Sequence, residues 1–470
     1  MASFQPNCTL PTERGAFVVA PNVRSAIEII WSCFAITVRC TWSIIRINVP
    51  PHVIPQTSSQ WVRWHAYLFR RKVLAFLTML FSPEIIIGKA IVEWEYVSYS
   101  TPLLQKIADA EGVPWSRQHT VFLEMGGLAI RFLDDGESTE ENRSTAATRR
   151  GRRAEALDRY ADELSQRLRK FGMPLWKRHP HNYKMALQYG PVSDHTGRFL
   201  NPSQGNIWTL DSLQMVAAHE AGLFKDSGFP KILAEDIQAR DKSDGLVKAI
   251  AVLQVLWMAM QVVARHTMGL PSSQLEISTL ALAAISILVY GLQWSRPKDI
   301  SVPLYFDMKS ARNVVTEDLM RHFVTVKDTI DVPARAAYTI PTTEFGSRLY
   351  DNGARAGGRC MPMAIILGGI IFGGVHLAAW NFSYPTLAEQ VMWRVSSIYL
   401  MLGPLLSIIL ASFLVRVLSE FGRRKVLTPC LGVAYVAARL ALLVESLRSL
   451  WFLPPEAFVS TWAGNAPHFG

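Results

Sequence analysis

Ionisable side chains set inside apolar runs are the residues of this chain best suited to chemistry. Glu28 and Arg39 lie in "AIEIIWSCFAITVRCTW", Glu84 in "VLAFLTMLFSPEIIIGKAIVEW", and His376 near the end of "MPMAIILGGIIFGGVHLAAW". Arg439, Glu445 and Arg448 interrupt "LGVAYVAARLALLVESLRSLWF" in the same way. Such groups cost several kcal/mol in hydrocarbon unless they face a protein interior or a wet cavity, so each predicts something that it lines. Glu28 and Arg39 are eleven residues apart, which at about 100° per residue puts them on one helix face and predicts an inward polar stripe. His376 follows Gly373 of a Gly369/Gly373 GxxxG pair by three residues, so it is expected in a helix junction and away from lipid. There it acts as a hydrogen-bond donor or proton shuttle; the plainer reading is a histidine satisfied by a neighbouring carbonyl or by Glu389.

Other polar groupings are weaker. Asp134 and Asp135 in "RFLDDGESTE" have no second acidic motif to share Mg²⁺ and diphosphate with. His179 and His181 in "KRHPHNY" would share a strand face but lack further metal ligands, so no metal is expected. Glu124 in "FLEMGG" reads as a site acid or as the wet face of an interfacial helix. Glu389 and Arg394 are five apart, a poor helical pair, so each should find a partner elsewhere. Asn381 heads the sequon "NFS" close to the membrane. GxSxG, Walker and GxGxxG patterns are absent from the sequence, which removes the anchors for α/β-hydrolase, P-loop and dinucleotide readings.

The elements that would position these residues are membrane helices. Hydrophobic residues make up 50% of the chain against 18% charged, and the mean hydropathy is +0.16. Runs at 245–264, 278–294, 361–380 and 396–415 each approach the ~20 apolar residues that cross a bilayer. Segments 26–48, 73–94 and 431–452 are more polar, the second being broken at Pro83 and Glu84. The fold class is therefore an all-α polytopic bundle of about seven spans, with six as the alternative, plus a mixed cytosolic loop region. The net charge of +10 reads as topology, because Lys and Arg concentrate in alternate loops. That alternation puts 99–244 and 296–360 in the cytosol and the C-terminus outside. Arg63, Arg70, Arg71 and Lys72 spoil the pattern if both early segments span, so one of them is expected to be re-entrant or interfacial.

The chain then divides into N-terminal membrane segments (1–98), a cytosolic region with amphipathic helices such as "ADELSQRLRKF" (99–244), and a membrane helix pair (245–295). A second cytosolic loop (296–360), C-terminal membrane helices (361–453) and a tail (454–470) follow. The basic run "RRGRRAEALDRY" lacks interleaved aromatics and reads as a solvated or headgroup-facing surface, so no nucleic acid is expected. The five cysteines, Cys8, Cys33, Cys40, Cys360 and Cys430, have no CxxC spacing and predict no disulfide framework. Nothing in the sequence sets an oligomeric state.

"WSCFAITVRCTWSIIRINVP", "FLEMGG", the stretch from "ILAEDIQARDKSDG" to "LQWSRPKDI", and "GGVHLAAWNFSYPTLAEQVMWRVSS" together resemble a large, mostly uncharacterised family of filamentous-fungal multi-pass membrane proteins. Members of that family are encoded beside natural-product genes, and a Diels–Alderase of a sordarin-type diterpene pathway resembles it. The resemblance implies a cyclase or isomerase of endomembranes acting on an apolar terpenoid, with no catalytic residues to carry over. Such a pericyclic closure needs no cofactor, only a pocket that holds the reacting groups in a near-attack geometry and a donor that polarises a carbonyl. His376, Glu84, Glu28 and Arg39 are the candidate polarising or orienting groups, and Trp31, Trp42, Trp94 and Trp294 the candidate apolar walls. The rival reading is a transporter or membrane scaffold for a hydrophobic metabolite, because broken, charged helices also suit a transport path.

Overall fold

A computed structural model describes residues 23–50, 57–132, 207–210, 212–220, 222–225, 227–242, 245–308, 357–414 and 428–461. The expected Asp134/Asp135 and His179/His181 pairs, the basic run and the "ADELSQRLRKF" helix lie outside these residues. The described chain is mostly helical, with helices α1 (Ala26–Ile44), α2 (Ser58–Phe81), α3 (Pro83–Ala110), α4 (Arg117–Glu124), α5 (Ser212–Glu220) and α6 (Ala234–Arg240). They are followed by α7 (Gly245–Thr267), α8 (Gln274–Leu292), α9 (Gly357–Leu377), α10 (Leu387–Leu414) and α11 (Thr428–Arg448). Four helical stretches, Ala26–Ile44, Ala249–Thr267, Gln274–Leu292 and Cys430–Phe452, are long and apolar enough to cross a membrane, and α2 with α3 could make a fifth.

The first helix corrects one expectation. Ser25 and Glu28 form a reciprocal capping box at its start, each side chain satisfying a backbone N–H of the other's residue. The buried face is Ile29, Cys33, Ile36, Cys40 and Ile44. That is the 3.6-residue apolar stripe, and it wins the interior because burying aliphatic surface stabilises while burying a charge does not. Glu28 and Arg39 are therefore both exposed and form no inward stripe.

The 73–94 segment is not one straight helix. The chain bends by 110° between α2 and α3, at Ser82 and Pro83. Proline has no N–H to donate and suits the first helical position, so it ends one helix and starts the next. The observed geometry is a broken span or a re-entrant pair.

Strands from the two expected loop regions share one sheet. Strands β1 (Leu128–Phe132), β2 (Ile207–Thr209) and β3 (Leu304–Met308) lie in the order β2-β1-β3. The middle strand pairs antiparallel with β2 and parallel with β3, with Ile130 opposite Trp208 and Phe306. Its residues Leu128, Ala129 and Ile130 are all buried, as expected of a central strand covered on both faces. The covering core includes Leu104 and Ile107 of α3, Phe122 and Leu123 of α4, and Met215 and Val216 of α5.

The helices are tied at both ends. At the sheet end, the Arg46 Nη1 donates to the Gln293 carbonyl at 2.5 Å, and Arg296 bonds both Glu93 and Asn48. At the far end, the Arg24 backbone N–H donates to Phe458, Gln274 Nε2 donates to the Ser383 carbonyl at 2.9 Å, and Arg448 pairs with Glu389 at 2.6 Å. The Arg265 guanidinium joins this end by donating to the carbonyls of Pro271, Val459, Glu456 and Ala457.

Candidate functional site

Between these two ends, α3, α9, α10 and α11 enclose a polar cluster. Glu84, at the first turn of α3, is 2% exposed and bonds Arg439 of α11, which is 4% exposed. The Tyr435 hydroxyl donates to Glu84 Oε2 at 2.5 Å and accepts from Arg439 Nε and Nη2 at 3.1 and 3.0 Å. Tyr435 and Arg439 are four apart on one helix, so their side chains lie over each other and can share one carboxylate. The remaining nitrogen, Arg439 Nη1, is buried with no hydrogen-bond partner.

Glycine positions decide how closely these helices approach. A Cβ on Gly368 would stand 3.1 Å from Glu84 Cα, so α9 meets α3 at the site acid itself. A Cβ on Gly373 would stand 2.5 Å from Met401 N, and one on Gly369 2.9 Å from the Leu400 carbonyl. The GxxxG pair thus seats α9 against α10, its most extensive partner.

His376 lies where the sequence suggests. It is 1% exposed, with its ring 4.4 Å from that of Phe372 and 5.6 Å from that of Trp393. Its Nδ1 is 2.8 Å from the Phe372 carbonyl, an acceptor, so this nitrogen carries the proton and donates. Nε2 then presents a lone pair in the neutral ring. The carbonyl reading is the one observed; Glu389 instead caps α10 by accepting from Thr386 N at 3.0 Å and pairs with Arg448. Arg439 Cζ stacks 3.4 Å over the Phe372 ring, so Phe372 touches both the histidine and the guanidinium. The arrangement offers the two spare N–H donors of Arg439 Nη1, one acceptor on His376, and aromatic surface from Phe372 and Trp393.

Depth along the bundle follows from helix rise. Arg439 precedes Arg448, at the far end, by nine residues, and Glu84 precedes Glu93, at the sheet end, by nine. At ~1.5 Å per residue each interval is about 13 Å, so the Glu84–Arg439 pair is close to halfway.

Of the eight residues that the sequence singles out, Glu84 and His376 converge on this cluster. Glu28 and Arg39 do not, for the reason given above. Trp31, Trp42, Trp94 and Trp294 are 60%, 44%, 48% and 61% exposed and do not wall the cluster. Trp42 and Trp94 instead face cations, with Lys72 Nζ 5.9 Å and Arg117 Cζ 5.6 Å from their rings. Glu124 is also placed differently. It is buried and accepts from both the backbone N and the hydroxyl of Ser212, capping α5. Arg394 donates to the Trp380 carbonyl at 3.1 and 3.0 Å.

Sequence reasoning passes over Tyr435, Phe372, Gly368 and the role of Arg439. The i, i+4 spacing of Tyr435 and Arg439 is a usable signal. Nothing in the sequence links either to Glu84, which is 355 residues from Arg439.

Comparison with known proteins touches only the middle of the chain. No curated protein and no solved structure matches it. Residues 222–348 match a family of unknown function, DUF8562, a stretch that holds α6, α7, α8 and β3 and lies outside Glu84, His376, Tyr435 and Arg439.

Proposed function

We propose that this is an integral protein of an endomembrane that binds an apolar small molecule, terpenoid-like in character, and rearranges it by a cofactor-free cyclisation or isomerisation. The observation that carries this reading is the unpartnered Arg439 Nη1. A buried donor without an acceptor costs about 1–3 kcal/mol, and a substrate carbonyl is a group that would remove that cost while becoming polarised. Glu84 and Tyr435 fix the guanidinium, and the His376 Nε2 lone pair can accept a hydrogen bond that orients the substrate.

The membrane path that supports this is six full crossings, α1, α7, α8, α9, α10 and α11, with α2 and α3 entering and leaving from the sheet side. Arg63, Arg70, Arg71 and Lys72 then lie on the cytosolic side with the sheet, which removes the conflict with the positive-inside pattern. The N-terminal end of α1 and the C-terminal end of α11 share the opposite side. Single-cysteine labelling across intact vesicles tests it: positions near Ser58 should react from the cytosolic side and positions near Ser460 from the lumen. Reaction of both from one side would overturn the path.

One observation favours a second reading, transport. A charged residue at the tip of a helix broken near mid-depth is the arrangement that carriers use to hold a substrate. Metabolite extracts of a host that makes candidate substrates, with wild-type protein, with the Glu84→Leu/Arg439→Met double variant and with no protein, separate the two. A product isomer made only by the wild type supports the enzyme. Identical products that differ only in their partition between cells and medium overturn it in favour of transport.

A further inference from the structure

Residues 58–70 of α2 carry a surface that the bundle does not use. From Arg71 onward the helix is fastened: Arg71 Nη2 donates to the Asn48 carbonyl at 3.1 Å, Lys72 pairs with Asp299 at 3.0 Å, and Ala75 and Met79 are buried. Before Arg71 no residue of the helix is buried, although Trp61, Val62 and Phe69 are among them, 54%, 58% and 65% exposed. The 110° bend at Ser82 and Pro83 accounts for this. A hairpin would lay α2 back along α3, whereas a bend of this size splays it, so its first turns leave the bundle beyond the ties at the sheet end.

The sequence of these turns is ordered by face. At about 100° per residue, Trp61, Val62, Trp64, Leu68 and Phe69 fall within an arc of about 160°. His65 lies in the same arc, its ring 3.9 Å from that of Trp61. Arg63 and Arg70, seven apart, fall within about 20° of each other on the opposite side. Aromatic and aliphatic residues on one face and arginine on the other are the pattern of a helix lying in the plane of a membrane surface.

Charge narrows what can cover this surface. Helix α2 contains no Asp or Glu. Arg71 and Lys72 are taken up by the ties above, while Arg63 and Arg70 meet no carboxylate among the described residues. Arg63 Nε donates to the Ser59 carbonyl of its own helix at 3.3 Å, and Arg70 Cζ stands 6.0 Å from the Tyr67 ring centre. Two exposed cations with no acid beside them are complemented by an acidic surface. Continuity selects lipid over a protein as that surface: Leu74 and Leu77, one and two turns further along the same helix, are 50% and 40% exposed, and in the membrane path proposed above they face hydrocarbon.

We infer that residues 58–70 of α2 form an interfacial arm on the cytosolic leaflet, with Trp61, Leu68 and Phe69 at the boundary of headgroups and hydrocarbon and Arg63 and Arg70 among anionic headgroups. The inference rests on the membrane path proposed above. Tryptophan suits that level because its ring is apolar while its N–H is not. Arginine suits it because the stem lies on apolar surface while the guanidinium reaches a phosphate or carboxylate.

The test is a spin-label scan of the full chain in phosphatidylcholine nanodiscs with or without phosphatidylserine. Cys8, Cys360 and Cys430 are replaced by Ser, the buried Cys33 and Cys40 are kept, and a single labelled cysteine is placed at Val62, His65 or Phe69 on the apolar arc, or at Ser59 or Tyr67 beside the arginines. With phosphatidylserine present, labels on the arc should collide with oxygen dissolved in the bilayer and be shielded from a water-soluble nickel chelate, and the other two should show the reverse. Omitting phosphatidylserine, or Arg63→Gln/Arg70→Gln with it present, should lower the docked-to-free ratio of the arm about thirtyfold, the attraction of two arginines to an anionic surface. Equal access of nickel all round the helix would overturn the inference, because the arm would then lie in water. Protection of the arc from both reagents would overturn it in favour of a protein cover, another segment of this chain or a second copy, and docking indifferent to phosphatidylserine would overturn the anionic partner. Alkaline carbonate extraction keeps the two readings apart: a protein that stays in the membrane but fails the scan refutes the arm alone, and one that is washed off refutes the membrane path as well.

Discussion

Arg265 and Arg439 are both almost wholly buried in helices of one bundle, and they are used in opposite ways. Arg265 spends its guanidinium on backbone carbonyls of three residues near the C-terminus and of Pro271, and none of its nitrogens is left over. It is a knot that holds loop to helix. Arg439 meets side chains alone, an acid and a phenol, and keeps one nitrogen spare. The histidines repeat the contrast. His119 has both ring nitrogens matched, Nδ1 to the Ser116 N–H at 3.0 Å and Nε2 to the Ile232 carbonyl at 3.1 Å, whereas His376 bonds through Nδ1 alone. The two arginines share residue type and burial and differ in what their nitrogens meet; unmatched atoms also occur on Arg296 and Gln274, which tie the helix ends, so the contrast is one to be tested by substitution.

The largest effect should come from breaking the Glu84–Arg439 pair. Arg439→Ala leaves a buried carboxylate uncompensated and should cost about 3–5 kcal/mol, read as a loss of cooperative thermal unfolding in detergent. Replacing both partners, in Glu84→Leu/Arg439→Met, should restore stability to near the wild type or above it while leaving any activity abolished. A double variant as unstable as the single one would make the pair structural and erase the comparison.

Arg265→Ala should come next. It leaves the part-buried Pro271 and Val459 carbonyls without their donor, while Ala457 keeps Arg24 Nε and Glu456 keeps the Val459 N–H, so a loss of about 1–3 kcal/mol is expected, with product pattern and substrate affinity unchanged. Loss of activity from a stably folded Arg265→Ala protein would break the distinction from the other side. A smaller and more local change is Gly373→Ala. Its Cβ would meet the Met401 backbone at 2.5 Å, which overpacking principles put at about 1–3 kcal/mol, the lower part if α10 can shift. The shift should move Trp393 relative to His376, so a change in tryptophan fluorescence with the Arg265 knot intact, seen as unchanged proteolysis near Ala457, is the expected readout.

Much of this architecture is written in the sequence, and what is missing has identifiable causes. The apolar runs at 245–264, 278–294, 361–380 and 396–415 all fall largely on helices, but only the first two coincide with the four stretches long and apolar enough to cross a membrane; the other two, Ala26–Ile44 and Cys430–Phe452, lie in segments that read as more polar. His376 is legible through its spacing from Gly373. The inward stripe on α1 is misread because angular coincidence of two charges says nothing about which face is buried, and Glu28 is in a capping box that "SAIE" itself spells out. The sheet escapes notice because its central strand is short, and its partners come from loops 75 and more residues away in sequence. No local pattern encodes that pairing, nor the one between Glu84 and Arg439.

The smallest effect sharpens the histidine half of the comparison. Burial lowers the His119 pKa from 6.5, with the Ile232 carbonyl acting in the other direction. Because the folded value lies below the unfolded one, its contribution is complete above about pH 6.5 and is lost as pH falls from there toward the folded value. Protonation would also turn Nδ1 from an acceptor of the Ser116 N–H into a donor facing it. Amide exchange across Thr120–Leu123, corrected for the intrinsic pH dependence, should therefore rise about a few-fold between neutral and mildly acid pH, and the rise should vanish in His119→Gln. Helix α9 around His376 should show no such local opening, because its ring bonds a carbonyl of its own helix and caps nothing. If the two regions opened together on acidification, the division between matched and spare polar groups would fail for histidine, however well it held for arginine.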